Sequence, residues 1–111
     1  MTSLSEIRLH QVSKTLEIAF EDGSHFTLPC EYLRVFSPSA EVQGHGLAEP
    51  KLVLGKENVS IIKIEPVGHY ALRLYFDDGH HTGLYTFEYL FDLGKNQTHN
   101  WQYYLNRLDA K

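Results

Sequence analysis

The chain repeats one pattern along its length, and this repeat constrains its fold more than any other feature. Residues 16–33 read LEIAFEDGSHFTLPCEYL, and residues 72–90 read LRLYFDDGHHTGLYTFEYL. The Asp-Gly pair at 22–23 returns at 78–79, and after one additional residue the Glu-Tyr-Leu triplet that ends the first copy also ends the second. Asp-Gly pairs between alternating hydrophobic segments are typical of hairpin turns. Each copy therefore predicts a strand, a tight turn, a second strand and the start of a helix.

Hydrophobic alternation extends the repeat into six strands and three helices. The predicted strands are Glu6–Val12, Thr15–Phe20, a segment through Phe26 and Leu28, Val59–Val67, Tyr70–Phe76 and His81–Tyr85. The predicted helices are Cys30–Phe36 after Pro29, Phe87–Leu93 with Thr86 as N-cap and Gly94 as terminator, and His99–Leu108 with its apolar face at Trp101, Tyr104, Leu105 and Leu108. The expected fold class is α+β, with a mainly antiparallel sheet of about six strands from two related hairpin units, each followed by a helix.

Length and composition indicate one globular domain and argue against several functions. A chain of 111 residues with 42% hydrophobic residues can bury a single core. The net charge of −4, with dispersed Lys and Arg, does not supply the basic face that nucleic-acid binding needs. No apolar segment is long enough for a membrane span, and no signal peptide is recognisable. The lone Cys30 cannot form an internal disulfide, so we expect a cytoplasmic protein. We also expect a monomer or a weak homodimer.

Two segments of the chain resemble a known family. LPCEYLRVFSPSAEVQGHG at 28–46 and GHYALRLYFDDGHHTGLYTFEYL at 68–90 are similar to parts of the N-terminal domain of gamma-butyrobetaine hydroxylase. They are more similar to the small stand-alone bacterial proteins grouped as gamma-butyrobetaine hydroxylase-like N-terminal domains, a family of unknown function. The segments cover somewhat over a third of the chain, and the order of predicted elements covers most of the rest. The resemblance implies that residues 1–111 form a single domain of this family.

The chain departs from the family pattern at one place. In the hydroxylase, three cysteines after the first helix bind a structural zinc ion together with a histidine from the second Asp-Gly turn. The matching positions here are Ser37, Ser39, Val42 and His80. Serine is a poor zinc ligand and valine is none. The resemblance therefore implies that this zinc site is lost, and we expect the packing of Val35 or Phe36, with Val42, to replace it.

The leading functional hypothesis is a non-catalytic accessory or adaptor domain that contacts a protein partner. The resemblance covers the accessory domain of the hydroxylase and not the catalytic domain that binds iron and 2-oxoglutarate. Similar domains are also fused to Mrp-like P-loop ATPases that handle iron–sulfur clusters, which suggests a partner in metal or iron–sulfur metabolism. The 37–51 loop is long for a compact domain, and loops of this kind often carry function. The residues predicted to contact the partner are Ser37, Ser39, Gln43, Gly44, His45 and Gly46.

The alternative hypothesis is a small metal-binding protein, or part of a metal-dependent oxidoreductase. Seven histidines in 111 residues motivate it, because imidazole binds zinc, iron, copper and nickel. The chain has no H-x₃-H or C-x₂-C spacing, so the leading hypothesis expects no cofactor, whereas the alternative expects zinc or iron. The candidate ligands are His80, His81, His45 and His25, with Cys30 as an additional candidate for a soft ligand or nucleophile at a helix start.

Overall fold

A computed structural model of the protein describes residues 3–39 and 52–110, and these residues form six strands and three helices. The strands are β1 (Leu4–His10), β2 (Thr15–Phe20), β3 (His25–Pro29), β4 (Ile61–Val67), β5 (Ala71–Phe76) and β6 (Leu84–Thr86). The helices are α1 (Cys30–Val35), α2 (Phe87–Lys95) and α3 (Gln97–Ala110). The strands pair as two antiparallel three-stranded sheets, in the orders β1-β2-β3 and β4-β5-β6. The α+β fold with two related hairpin units, each followed by a helix, is therefore confirmed.

Unit 1 (β1–β3 with α1) and unit 2 (β4–β6 with α2) repeat each other in backbone detail. Strands β1 and β4 each carry a register irregularity near their first residues. In the two Asp-Gly turns the glycine has a positive φ, 94° at Gly23 and 91° at Gly79, which glycine adopts without steric cost. The aspartate Oδ1 of each turn accepts the backbone N–H two residues later, at 2.8 Å in unit 1 and 3.1 Å in unit 2. The repeat in the sequence is thus a structural repeat.

Two tyrosines connect the units reciprocally. Tyr32 of α1 donates its hydroxyl to the carbonyl oxygen of Leu93 in α2 at 2.6 Å, and Tyr89 of α2 donates to the carbonyl oxygen of Phe36 after α1 at 2.5 Å. Burial raises the pKa of each tyrosine to about 12, so both hydroxyls remain protonated donors at neutral pH. Each helix is therefore held against the end of the other.

The hydrophobic core is shared by both units. The alternate residues of β2 and β5 are buried, as the sequence pattern predicted, and they pack with residues from α1 and α2 in one cluster. At one end of this core, an apolar corner consists of Phe20, Phe26, Phe91 and Gly94. The three phenylalanine rings meet edge to face, with centroids 5.2 to 6.1 Å apart. Phe91 and Gly94 belong to α2, so this corner joins unit 2 to the sheet of unit 1.

The predicted end of helix α2 is wrong. The helix starts as expected, because the Thr86 hydroxyl accepts the Tyr89 N–H at 3.0 Å. It does not end at Gly94 but continues to Lys95. Gly94 is needed for close packing instead, since a Cβ at this position would lie 2.4 Å from Cγ of Phe26.

Strand β6 and helix α3 also differ in length from the prediction. Strand β6 has three residues rather than five, and it begins at Leu84, which pairs with Arg73 of β5. Helix α3 is longer than predicted, and Tyr104 is its buried residue, whereas Leu105 is 38% exposed. The apolar face of α3 is thus narrower than the periodicity suggested. Among the described residues, no helix has the length and apolar character needed to cross a bilayer.

Candidate functional site

The end of helix α1 and the second Asp-Gly turn meet in a cluster of polar side chains. We call this cluster the polar corner, and it consists of Arg34, Ser37, Ser39, Lys56, Asp78 and His80. Ser37 Oγ lies 2.8 Å from His80 Nε2, and Ser39 Oγ lies 3.4 Å from the same nitrogen. Ser37 is 0% exposed and His80 is 7% exposed. The segment that follows α1 in unit 1 is therefore attached to the turn of unit 2.

Local backbone structure positions the Ser37–His80 pair. The His80 N–H donates to Asp78 Oδ1 at 3.1 Å, and the His80 carbonyl accepts the Phe76 N–H at 3.0 Å. On the other side, α1 ends at Val35, and the Ser37 N–H donates to the Arg34 carbonyl at 3.3 Å. Both partners of the pair thus come from segments that are already hydrogen-bonded.

A group of three charged side chains adjoins the serines. Asp78 Oδ2 lies 2.8 Å from Arg34 Nε and 2.7 Å from Lys56 Nζ. Burial by itself would raise the pKa of Asp78, but the contacts with Lys56, the His80 backbone N–H and Arg34 together lower it to about 2. The carboxylate is therefore ionised at neutral pH. Arg34 Nη1 is buried without a hydrogen-bond partner, which adds a desolvation cost to this ion pair.

A tyrosine and a glycine of unit 2 complete the packing around Ser37. Tyr85 is 0% exposed and donates its hydroxyl to the Leu33 carbonyl at 2.5 Å. Burial raises the pKa of Tyr85 well above its usual range. Gly83 lies so close to Ser37 that a Cβ added there would be 2.5 Å from Ser37 Oγ. The approach of the two chain segments therefore depends on the missing side chain of Gly83.

The Ser37–His80 pair has the spacing of a nucleophile and its base but not the accessibility. A nucleophilic hydroxyl must approach the reacting carbon to roughly 3–3.5 Å in the bound substrate. Ser37 is fully buried, so a substrate carbonyl cannot reach it in this conformation. The hydrogen bond between Ser37 and His80 therefore connects two chain segments, and we assign it a structural role.

The donor set of the polar corner does not fit a structural zinc ion. Two hydroxyls and one imidazole replace the thiolate and imidazole ligands of such sites. The fourth matching position, Val42, lies outside the described residues. We expected apolar packing to replace the zinc ion, and packing accounts for only part of what holds the segment after α1. Val35 is 6% exposed, and the Phe36 ring contacts those of Tyr32 and Tyr104, but hydrogen bonds and ion pairs also hold this segment.

The structure gives each described candidate histidine a different partner. His80 contacts Ser37, His81 stacks on Tyr75 with centroids 5.4 Å apart, and His25 Nε2 lies 2.5 Å from a carboxylate oxygen of Glu17. Within residues 3–39 and 52–110, no group of three or more His, Cys, Asp and Glu side chains is arranged to hold a metal ion. The fourth candidate, His45, lies outside the described residues. The four-histidine metal site thus stays a prediction.

The remaining predicted residues are either buried or outside the described part of the chain. Cys30 is 1% exposed, and burial raises the pKa of its thiol, which is the opposite of what a reactive cysteine requires. Ser37 and Ser39 face His80 inside the protein, and residues 43–46 lie outside the described segments. The assignment of the 37–51 loop to partner binding therefore stays a prediction.

The structure also reveals features that the sequence reasoning missed. Arg34 contributes to the polar corner through its contact with Asp78. A break in the sequence repeat could have indicated this role, because the equivalent residue of the second copy is Phe91. A surface groove of about 380 Å³ lies between the N-terminal ends of α1 and α3. Its lining residues are Pro29, Glu31, Tyr32, Gln97, Thr98, Trp101 and Gln102. Trp101, which the helical spacing places on an apolar face, packs against the core and also lines this groove.

These features define a class: a small α+β protein of two pseudo-symmetric units that are joined through a buried polar corner. The family model described as gamma-butyrobetaine hydroxylase-like, N-terminal, matches residues 7–91. The chain belongs to this family, as the two resembling segments predicted. No curated protein matches the chain.

Several solved structures are similar to this chain over most of its length. One protein with an NMR solution structure is 53% identical, with a TM-score of 0.86, and the match covers 99% of this chain and 82% of that chain. A second NMR solution structure is 48% identical, with a TM-score of 0.85 and coverage of 99% and 86%. A crystal structure of a protein of unknown function from Acidithiobacillus ferrooxidans, assigned to the DUF971 family, is 41% identical, with a TM-score of 0.70 and coverage of 83% and 92%.

Proposed function

We propose that this protein is a non-catalytic accessory or adaptor domain that contacts a protein partner in metal or iron–sulfur metabolism. The observation that carries the proposal is the burial of the Ser37–His80 contact and the mutual pairing of the charged side chains beside it. Ser37 and His80 bond to each other, and Asp78 is bonded to Arg34 and Lys56. Groups that are buried and paired in this way stabilise a fold, because breaking them would leave a buried polar atom unsatisfied.

The surface groove between α1 and α3 supports a binding role. It combines apolar walls from Pro29, Tyr32 and Trp101 with polar side chains, a lining typical of recognition sites. The groove lies at helix ends that are held by the core, since Asn100 donates to the Tyr32 hydroxyl at 3.0 Å. A surface of this kind can bind a partner without a large rearrangement. The choice of metal or iron–sulfur metabolism follows from the family resemblance.

Affinity purification of the tagged protein from its own host cells tests the partner proposal. We expect one or a few proteins to be enriched over a tag-only bait, and we expect them to include proteins that handle metal ions or iron–sulfur clusters. Native mass spectrometry of the eluate would measure the stoichiometry. Repeated purifications with no enriched protein, together with a purely monomeric native mass, would remove the support for an adaptor role.

Elemental analysis distinguishes the alternative metal-binding function. The protein is purified without a histidine tag, and its zinc and iron contents are measured per chain. The adaptor proposal expects folded protein with far less than one metal ion per chain. A near-stoichiometric metal that is lost in His80→Ala but retained in His69→Ala, a histidine at an exposed turn, would favour the metal-binding function instead.

A further inference from the structure

The groove between α1 and α3 contains an aromatic residue that is held in place. Trp101 stacks on Tyr104 with centroids 4.9 Å apart and meets Tyr32 edge to face at 6.1 Å. Tyr32 is itself fixed through its hydroxyl, which donates to Leu93 and accepts from Asn100. Trp101 is half-buried, so part of its indole remains available to a ligand. The groove therefore offers a preorganised aromatic wall.

The groove also contains a carboxylate without a positive partner. Glu31 lines it and forms no ion pair within the part of the chain that the structure describes. Burial, followed by repulsion from Glu57, raises the pKa of Glu31. Both effects disfavour the negative charge on Glu31, and both would be relieved by a cation in the groove. Among the described residues that line the groove, none is a lysine or an arginine.

We propose that this groove binds a basic side chain, the guanidinium of an arginine or the ammonium of a lysine, from an exposed segment of the partner protein. The cation is bound between the Glu31 carboxylate and the Trp101 indole. A charge-assisted hydrogen bond to a carboxylate and a cation–π contact to tryptophan are the two interactions that recognise such a group most strongly. Gln97 and Gln102 line the groove beside this position, and the Gln102 amide nitrogen donates to Asn106 Oδ1 at 3.0 Å. This inference rests on the proposed adaptor function and specifies the chemistry of the partner.

The single tryptophan of the chain makes the proposal directly measurable. Because Trp101 is the only tryptophan, tryptophan emission that is excited selectively over that of the seven tyrosines reports on this groove alone. The probe is N-acetyl-arginine amide, compared with N-acetyl-citrulline amide, its uncharged analogue, and with N-acetyl-glutamate amide. We expect a saturable change in Trp101 emission with the arginine probe, and an affinity for the citrulline probe that is lower by about tenfold or more, as the loss of one charged interaction implies.

A matched pair of variants assigns the effect to Glu31. Glu31 and Glu88 occupy equivalent repeat positions in the first turns of α1 and α2, but only Glu31 lines the groove. Glu31→Gln should lose the binding of the arginine probe, whereas Glu88→Gln should retain it. Circular dichroism of both variants checks that they are folded. An equal response to all three probes, a preference for the glutamate probe, or unchanged binding in Glu31→Gln would each overturn the proposal.

The same variants separate this inference from the adaptor function. If Glu31→Gln reduces partner capture in affinity purification and Glu88→Gln does not, both proposals are supported. If a partner is captured equally by all variants and the arginine probe does not bind, the adaptor function holds and the groove assignment fails. If the arginine probe binds but no partner is captured, the groove assignment holds and the adaptor function fails.

Discussion

The two corners at which the units meet have equivalent backbones and opposite chemistry. In the apolar corner, Phe91 and Gly94 of α2 pack against Phe20 and Phe26 of unit 1. The equivalent positions at the other junction are Arg34 and Ser37, which belong to the polar corner, and Phe76 and Gly83, which adjoin it. In the apolar corner the Phe26 ring thus faces Gly94, whereas at the equivalent positions Gly83 faces Ser37. The same backbone junction can therefore be closed by an aromatic cluster or by hydrogen bonds and ion pairs.

The comparison also explains why the polar corner contains charge. Where Phe91 contacts two rings of unit 1, its equivalent Arg34 contacts Asp78 and leaves one buried nitrogen unsatisfied. An aromatic cluster gains from apolar burial and ring contacts, whereas a partly buried ion pair must first overcome desolvation. We therefore expect the apolar corner to contribute more to the stability of the fold than the polar corner does.

The largest expected effect is the loss of a ring from the apolar corner. Phe20 is 3% exposed and contacts both Phe26 and Phe91. Phe20→Ala should lower the free energy of unfolding by about 3–5 kcal/mol, because it removes the buried ring and leaves a cavity. Urea denaturation followed by circular dichroism measures this difference. A loss no larger than that of the polar-corner variants below would contradict the ranking of the two corners.

The next effect concerns the central carboxylate of the polar corner. Asp78→Asn removes charge-assisted hydrogen bonds to Arg34 and Lys56, so the expected loss is about 1.5–3 kcal/mol at neutral pH. The pKa of Asp78 is lowered to about 2 in the folded state, whereas it is about 4 in the unfolded state. The carboxylate therefore stabilises the fold fully above about pH 4, and this stabilisation is lost as the pH falls through about 2. Thermal unfolding between pH 2 and pH 6 should show a smaller pH dependence in Asp78→Asn than in the wild type. Asp109→Asn, at the exposed end of α3, should keep the wild-type slope.

A smaller effect distinguishes the two glycines that permit close approach. An added Cβ at Gly94 would lie 2.4 Å from a ring that is packed against two others, and overpacking of this kind costs about 1–3 kcal/mol. An added Cβ at Gly83 meets the Ser37 hydroxyl at 2.5 Å, which can move by rotation about its side-chain torsion, while the next neighbour, Cδ of Pro38, lies at 3.1 Å. We expect Gly94→Ala to be destabilised more than Gly83→Ala in the same denaturation experiment. The reverse order would show that the polar corner is the more rigid junction.

A modest loss is expected from the hydroxyl that contacts His80. Ser37→Ala removes a buried hydrogen bond of 2.8 Å, and we expect a loss of about 1 kcal/mol in the free energy of unfolding. Ser13→Ala is a suitable control, since its hydroxyl contacts that of Thr15 at an exposed position. An equal effect of the two substitutions would mean that the Ser37–His80 contact does not stabilise the junction.

No change is expected when metal is removed. Two hydroxyls stand at positions where the family pattern has cysteines, so the junction described here depends on hydrogen bonds and ion pairs rather than on coordination. Differential scanning calorimetry with and without a chelator should give the same midpoint. Because a structural zinc ion contributes on the order of 10 kcal/mol to the folding of small domains, a lower midpoint in the chelator would show that ligands have been misassigned.

Much of the fold could be predicted from local patterns. The alternation in β2 and β5, the glycines of the Asp-Gly turns and the Thr86 cap all act within a few residues, so the sequence is sufficient to locate them. The family resemblance matched positions 37, 39 and 80 to a zinc site that we expected to be lost, and the hydrogen bonds that the structure shows among these side chains were not predicted. The groove at Trp101 and Glu31 was not predicted, because neither residue belongs to a recognisable motif.

The sequence by itself determined that the chain is built from two hairpin units, since a period of two along a strand and a glycine with positive φ are local requirements. Only the tertiary structure decided what joins the units. Gly94 has the sequence signature of a helix terminator, yet it lies within α2, and its missing side chain leaves room for the Phe26 ring of the other unit. Arg34 has the sequence signature of a solvated helix residue, yet it is held by Asp78, 44 residues away. Contacts between residues this distant depend on how the two units dock, and docking is determined by the shared core rather than by any local segment.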